Sequence, residues 1–165
     1  DDALADRSLQ LDARRVAITG GSYGGFMACW AITQTDRFAV AVAGAPIVNF
    51  ESEYGTADIG PTWFEREQLG TPWADRERYA ARSAIRCVER VRTPLLLYHG
   101  EADLRCPIEQ SEQFFSALVA LGREVELVRV PAEGHVLPSD ASPVHRRLTR
   151  EVILEWFGRY LKPGA

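Results

Sequence analysis

Gly20-Gly21-Ser22-Tyr23-Gly24 sets one hydroxyl among small residues, directly after the apolar run Arg15 to Thr19 and before a helical stretch opening at Gly25. The pattern G-x-S-x-G has a physical reading. A strand ends, the serine takes a backbone conformation that L-residues disfavour, and only small neighbours let strand and helix pass in contact. The helix would then aim its first amides at the reaction site, with the Tyr23 N–H placed to hold an oxyanion. A glycine-rich phosphate loop is another reading of such a stretch, but it needs a G-K-[ST] ending that is absent here. The serine also stands where a dinucleotide fingerprint needs the close backbone approach of glycine.

A serine hydroxyl becomes a useful nucleophile when a histidine takes its proton and an acid orients that histidine. The sequence has three histidines. His99 ends a buried strand and reads as a core residue, and His145 opens the last helix among polar neighbours and reads as solvated surface. His135 lies in "PAEGHVLPSD", an irregular loop between the last strand and the last helix, where α/β-hydrolases present their base. The order serine, acid, histidine then asks for an acid on the loop after the preceding strand, and "LLLYHGEADLRCP" offers Glu101 and Asp103. Asp103 is the first choice, because a side chain two residues nearer the strand serves the turn itself; Glu101 is the alternative. Asp58, Asp75 and Asp140 read as surface or capping residues.

The elements that must position these residues follow from hydrophobic periodicity. Arg15 to Thr19, Phe38 to Ala43 and Pro94 to His99 are continuous apolar runs of strand length, and Glu124 to Val130 alternates as a strand nearer a sheet edge does. Asp1 to Leu11 reads as the end of an amphipathic helix, Gly25 to Thr35 as a helix apolar nearly all round, and Ile108 to Leu121 as a strong helix. Val144 to Leu161 closes the chain as a helix with Leu148, Val152, Ile153, Trp156, Phe157 and Tyr160 on its apolar positions. Ile47 to Ser83 is the least regular third, rich in aromatics, with short helices expected around Pro61 to Gln68 and Arg76 to Ala81. Strands alternating with helices predict an α/β fold whose mainly parallel sheet has helices on both faces.

The 165 residues are the length of one domain, 46% apolar and 25% charged with both signs mixed, as in an ordinary globular protein. A net charge of −4 gives no basic footprint, which argues against nucleic acid as a partner. No apolar run approaches the ~20 residues that cross a bilayer, so no membrane role is expected. The widely spaced Cys29, Cys87 and Cys106 give neither a metal-ligand pair nor a disulfide framework and suit a reducing, cytoplasmic compartment.

Three blocks, "TGGSYGGFM", "WFEREQLGTPW" and "YHGEADLRCPIEQSEQFFSALVALGREVELVRVPAEGH", resemble the C-terminal half of the catalytic domain of acylaminoacyl-peptidase-type members of the prolyl oligopeptidase family of serine peptidases. The resemblance runs from about Leu11 to Leu161. It implies an α/β-hydrolase fold with Ser22 as nucleophile, Asp103 as acid and His135 as base, and with the Tyr23 amide in the oxyanion hole. It further implies that Arg105 faces the substrate cleft, and that Ile47, Phe50, Trp63 and Phe64 line an apolar pocket for the side chain on the acyl side of the cut.

Under this resemblance residues 1–165 are one partial catalytic domain, its four strands the fifth to eighth of eight. The N-terminal strands, any β-propeller and the loop with the second oxyanion donor are expected outside it. Arg15 to Thr19 would then be an edge apolar on both faces, so the isolated chain is expected to be sticky or poorly folded, and to be a piece of a longer protein. The expected activity is hydrolysis of short peptides, of acylaminoacyl or dipeptidyl type, through an acyl-enzyme. A carboxylesterase of the same fold and a non-catalytic binding module are the alternatives. No metal or organic cofactor is implied. The expected partners are short peptides, the N-terminal part of the same enzyme and, as an option, further copies of the chain.

Overall fold

The three apolar runs and the alternating stretch all become strands: β1 (Ala17–Gly21), β2 (Val40–Gly44), β3 (Leu95–Gly100) and β4 (Val125–Val130). The computed structural model describes residues 2–67, 69–135 and 137–162. All three pairings are parallel and the order is β1-β2-β3-β4, so the chain moves one strand at a time across the sheet. Each step is a helical crossover: α2 (Tyr23–Gln34) leads from β1 to β2, and α6 (Glu109–Ala120) from β3 to β4. Three short helices, α3 (Phe50–Thr56), α4 (Gly60–Arg66) and α5 (Arg76–Ala81), lie between β2 and β3, while α7 (Leu137–Asp140) and α8 (Pro143–Tyr160) follow β4.

The central strands explain why their sequence shows no alternation. Ala41, Ala43, Leu95 and Leu97 join Ala28, Cys29 and Ile32 of α2 and Phe114 and Leu118 of α6 in one core. The residues between them, Val40, Val42, Leu96 and Tyr98, join Trp156 of α8 in a second. Both faces are covered, so both sets must be apolar. The Trp156 indole donates to the Ala41 carbonyl at 3.2 Å, which satisfies its one polar atom inside that core. A third cluster joins Phe26 of α2 to Phe50, Phe64 and Tyr79 of the three short helices.

Four sequence expectations change. The N-terminal helix is only α1 (Asp2–Ala5), with Asp1 outside the described residues, and single 3₁₀ turns follow at Arg7–Leu9 and Ala13–Arg15. Asp6 and Asp12 each accept the backbone N–H two residues on, at 2.9 Å, and Gln10 adopts a left-handed φ of 48°, so no helix runs through. Helix α3 was not expected; Asn49 opens it by accepting the Glu51 N–H. Helix α4 stops at Arg66, and Gln68 lies outside the described residues. Leu148 of α8 is exposed, outside the packed stripe.

Candidate active site

β1 delivers the chain into α2 with no intervening loop, and Ser22 occupies the junction at φ 58° and ψ −122°. This is left-handed backbone that a serine adopts only under constraint. The constraint is visible: the Ser22 N–H donates to the Gly44 carbonyl of β2 at 2.9 Å, and the Ser22 carbonyl accepts the Phe26 N–H at 2.9 Å as the first bond of α2. A Cβ on Gly20 would lie 2.5 Å from the Gly24 backbone, so the serine's flanking glycines are what let strand and helix close on each other. The Tyr23 N–H opens α2, where the first amides have no intrahelical acceptor.

His135 Nε2 lies 2.8 Å from Ser22 Oγ, and His135 Nδ1 lies 2.8 Å from Asp103 Oδ2. A carboxylate only accepts, so Nδ1 carries the proton and Nε2 accepts from the serine hydroxyl. Asp103 is 4% exposed. Its Oδ1 accepts the backbone N–H of Arg105 at 2.9 Å and of Cys106 at 3.0 Å. Burial works against its charge, yet the bonds from His135, His99 and the Cys106 amide outweigh that and hold the carboxyl well below the ordinary range.

His99 is fully buried, as expected of a core residue, and the structure gives it a task. Its Nε2 is 2.7 Å from the Cys106 carbonyl and its Nδ1 2.7 Å from Ser111 Oγ. A carbonyl cannot donate, so the proton sits on Nε2, which also faces Asp103 Oδ2 at 3.3 Å. His99 therefore braces the aspartate's loop. Glu101 turns away and pairs with Arg129 at 2.7 Å. His145 is half-buried and bonds Glu133 at 2.6 Å, where a solvated surface residue was expected. Glu133 also accepts the Ser142 N–H at 3.0 Å, and this ties the His135 loop to the start of α8.

The Asp103 and His135 loops meet because β3 and β4 are neighbours. The Ala102 N–H donates to the Glu133 carbonyl at 2.9 Å, and a Cβ on Gly100 would lie 2.2 Å from that same oxygen. Gly100→Ala must therefore push the two loops apart. It is expected to cost about 1 to 3 kcal/mol of stability by overpacking. A shift of ~1 Å at the histidine would lower kcat by about 100-fold. Thermal melts and kinetics on the variant check both.

Ser22, Tyr23 and His135 open on a cavity of about 150 Å³ that Ile47, Trp63, Phe64 and Arg105 also line. Phe50, expected in that lining, instead packs into the aromatic cluster, its ring 5.4 Å from that of Phe64, and borders a neighbouring groove. Arg105 faces the cavity with its guanidinium held by Asp58 at 2.7 and 3.3 Å. Sequence reasoning missed Glu53, which lines the cavity while 3% exposed. The available signal was its spacing of three from Phe50, which puts both on the buried side of α3.

The model of the prolyl oligopeptidase family matches residues 2–164. The uncharacterized peptidase YuxL of Bacillus subtilis (strain 168) is 41% identical over 160 residues, which are 97% of this chain and 24% of that protein. The acylamino-acid-releasing enzyme of Rattus norvegicus is 36% identical over 135 residues, covering 76% of this chain and 18% of its own. An acylaminoacyl peptidase solved in complex with Z-Gly-Gly-Phe-chloromethyl ketone superposes with a TM-score of 0.91 at 35% identity, over 99% of this chain and 27% of that one. The chain thus spans about a quarter or less of these relatives, and its parallel sheet with covering helices is that of their α/β-hydrolase fold. Matched from residue 2 to residue 164 along the stretch that carries this serine, aspartate and histidine, the chain belongs to the prolyl oligopeptidase family.

Proposed function

We propose that Ser22, His135 and Asp103 are the nucleophile, base and acid of a serine peptidase that cleaves short peptides, of acylaminoacyl or dipeptidyl type. The observation that carries this is the unbroken relay from Ser22 Oγ through both His135 nitrogens to Asp103 Oδ2, each gap 2.8 Å. His135 takes the serine proton as Oγ attacks the carbonyl, then hands it to the departing amine. Asp103 holds the ring in the tautomer that can do this and stabilises the imidazolium; water later releases the acid by the same route. The Tyr23 N–H stabilises the oxyanion, and we place the second donor on the part of the longer protein that precedes this chain. The peptidyl ligand of the solved acylaminoacyl peptidase supports a peptide substrate. Free cysteines at Cys29, Cys87 and Cys106 support a reducing, cytoplasmic setting.

The test compares acetyl-alanyl p-nitroanilide with acetyl-alanyl p-nitrophenyl ester on the full-length protein. Both are expected to be hydrolysed, and a fluorophosphonate probe is expected to label Ser22. Ester cleavage with an inert anilide would make the protein a carboxylesterase. Absence of labelling would make the fold a binding module.

A further inference from the structure

One side chain in the cavity has no explanation in the fold or in the relay. Glu53 is 3% exposed, and its Oε2 has no hydrogen-bond partner among the described residues. The cap of helix α3 does not use the carboxyl: Asn49 supplies it, by accepting the Glu51 N–H. The arginine of the cavity wall, Arg105, is held by Asp58. The Cys106 thiol bonds the carboxyl, but a buried carboxylate oxygen left without a partner still costs free energy that a folded chain normally avoids. Glu53 also lines the cavity that exposes Ser22, so a ligand entering there meets this side chain.

We propose that Glu53 makes this cavity a receptor for a cationic side chain, a lysine or arginine on the acyl side of the scissile bond. The proposal rests on Ser22 being the nucleophile, since that makes the cavity the acyl-side pocket. A long basic side chain suits the lining, because its alkyl stem would lie along Ile47, Trp63 and Phe64 while its charged end meets the carboxyl. Electrostatics select a cation over a neutral donor. Burial first, then the carboxylates of Glu109, Asp103 and Asp58, push the Glu53 carboxyl up to about 8, although the Cys106 thiol beside it pulls the other way. The empty pocket therefore opposes negative charge, and an entering ammonium relieves the opposition and lets Glu53 ionise. A neutral amide or hydroxyl can hydrogen-bond the carboxylate but brings no charge to offset those of Glu109, Asp103 and Asp58.

Binding tests this apart from catalysis. In the full-length Ser22→Ala protein, which turns nothing over, calorimetry would compare acetyl-Ala-Ala-Lys amide with its norleucine counterpart, equal in stem length and without charge. The lysine peptide is expected to bind at least about tenfold more tightly, with the preference lost on adding Glu53→Gln and reversed on adding Glu53→Leu. Equal binding, no measurable binding of the lysine peptide, or a preference that survives Glu53→Gln would overturn the proposal. Thermal melts of both variants confirm that the fold is retained. Failure of the catalytic reading would show separately, as wild-type protein that hydrolyses neither ester nor anilide.

Discussion

Replacing Ser22 with alanine is expected to lower kcat about 10⁶-fold, the scale seen when a triad nucleophile is removed. The size follows from what the hydroxyl does. In the proposed mechanism it forms the acyl-enzyme, and among the described residues His135 Nε2 bonds no nucleophile other than Ser22 Oγ. Alanine keeps the junction's geometry, so substrate binding should survive and the loss should fall on kcat. Stability separates this from unfolding. The residue sits at φ 58°, a conformation that costs a non-glycine residue about 1 to 3 kcal/mol. Ser22→Gly should therefore be equally inactive yet melt at a higher temperature than Ser22→Ala. A Ser22→Ala protein that retained more than about 1% of wild-type kcat would remove the serine from the mechanism.

The strands were legible because a parallel sheet covered on both faces leaves no room for polar residues, so β2 and β3 announce themselves as apolar runs. The candidate residues were legible for a related reason. An acid after β3 and a base after β4 end on neighbouring loops only if the strands are neighbours, and the chain's alternation of strand and helix makes adjacency the default. What stayed hidden lies where no period operates. Between Ile47 and Ser83 the aromatics pack edge to face from three short helices, so α3 has no periodic signature, and the spacing of Glu53 from Phe50 signals its burial alone. The support of Asp103 by His99 was equally invisible, because it depends on Ser111 and Cys106 meeting one ring from two different stretches. At the N-terminus the error was local: the apolar spacing suggested a helix, and the side chains of Asp6 and Asp12 captured the backbone first.

Asp103→Asn is expected to lower kcat by about 10⁴-fold, and the structure says which way the amide will turn. Four donors surround the carboxylate: two backbone N–H groups on Oδ1, from Arg105 and Cys106, and the ring N–H groups of His135 and His99 on the side of Oδ2. An asparagine can offer its oxygen to only one pair. The backbone amides cannot rotate, whereas His135 can change tautomer, so the carboxamide oxygen stays with the amides and its NH₂ faces His135. His135 Nδ1 must then accept, its proton moves to Nε2, and a protonated Nε2 cannot take the hydrogen of Ser22. The same NH₂ confronts the N–H of His99, whose proton is fixed by the Cys106 carbonyl. That clash of donors in a fully buried place should cost roughly 1 to 3 kcal/mol of stability. The acid branch of stability changes too. A carboxyl held below its ordinary range stabilises the fold fully above that range and loses the contribution progressively as pH falls from there through the lowered folded-state value, so the wild-type advantage over Asp103→Asn should shrink toward low pH. Since the residues act as one unit, Asp103→Asn added to Ser22→Ala should cost no further activity. A variant that kept near-wild-type kcat at neutral pH would show that the ring is oriented by something other than Asp103.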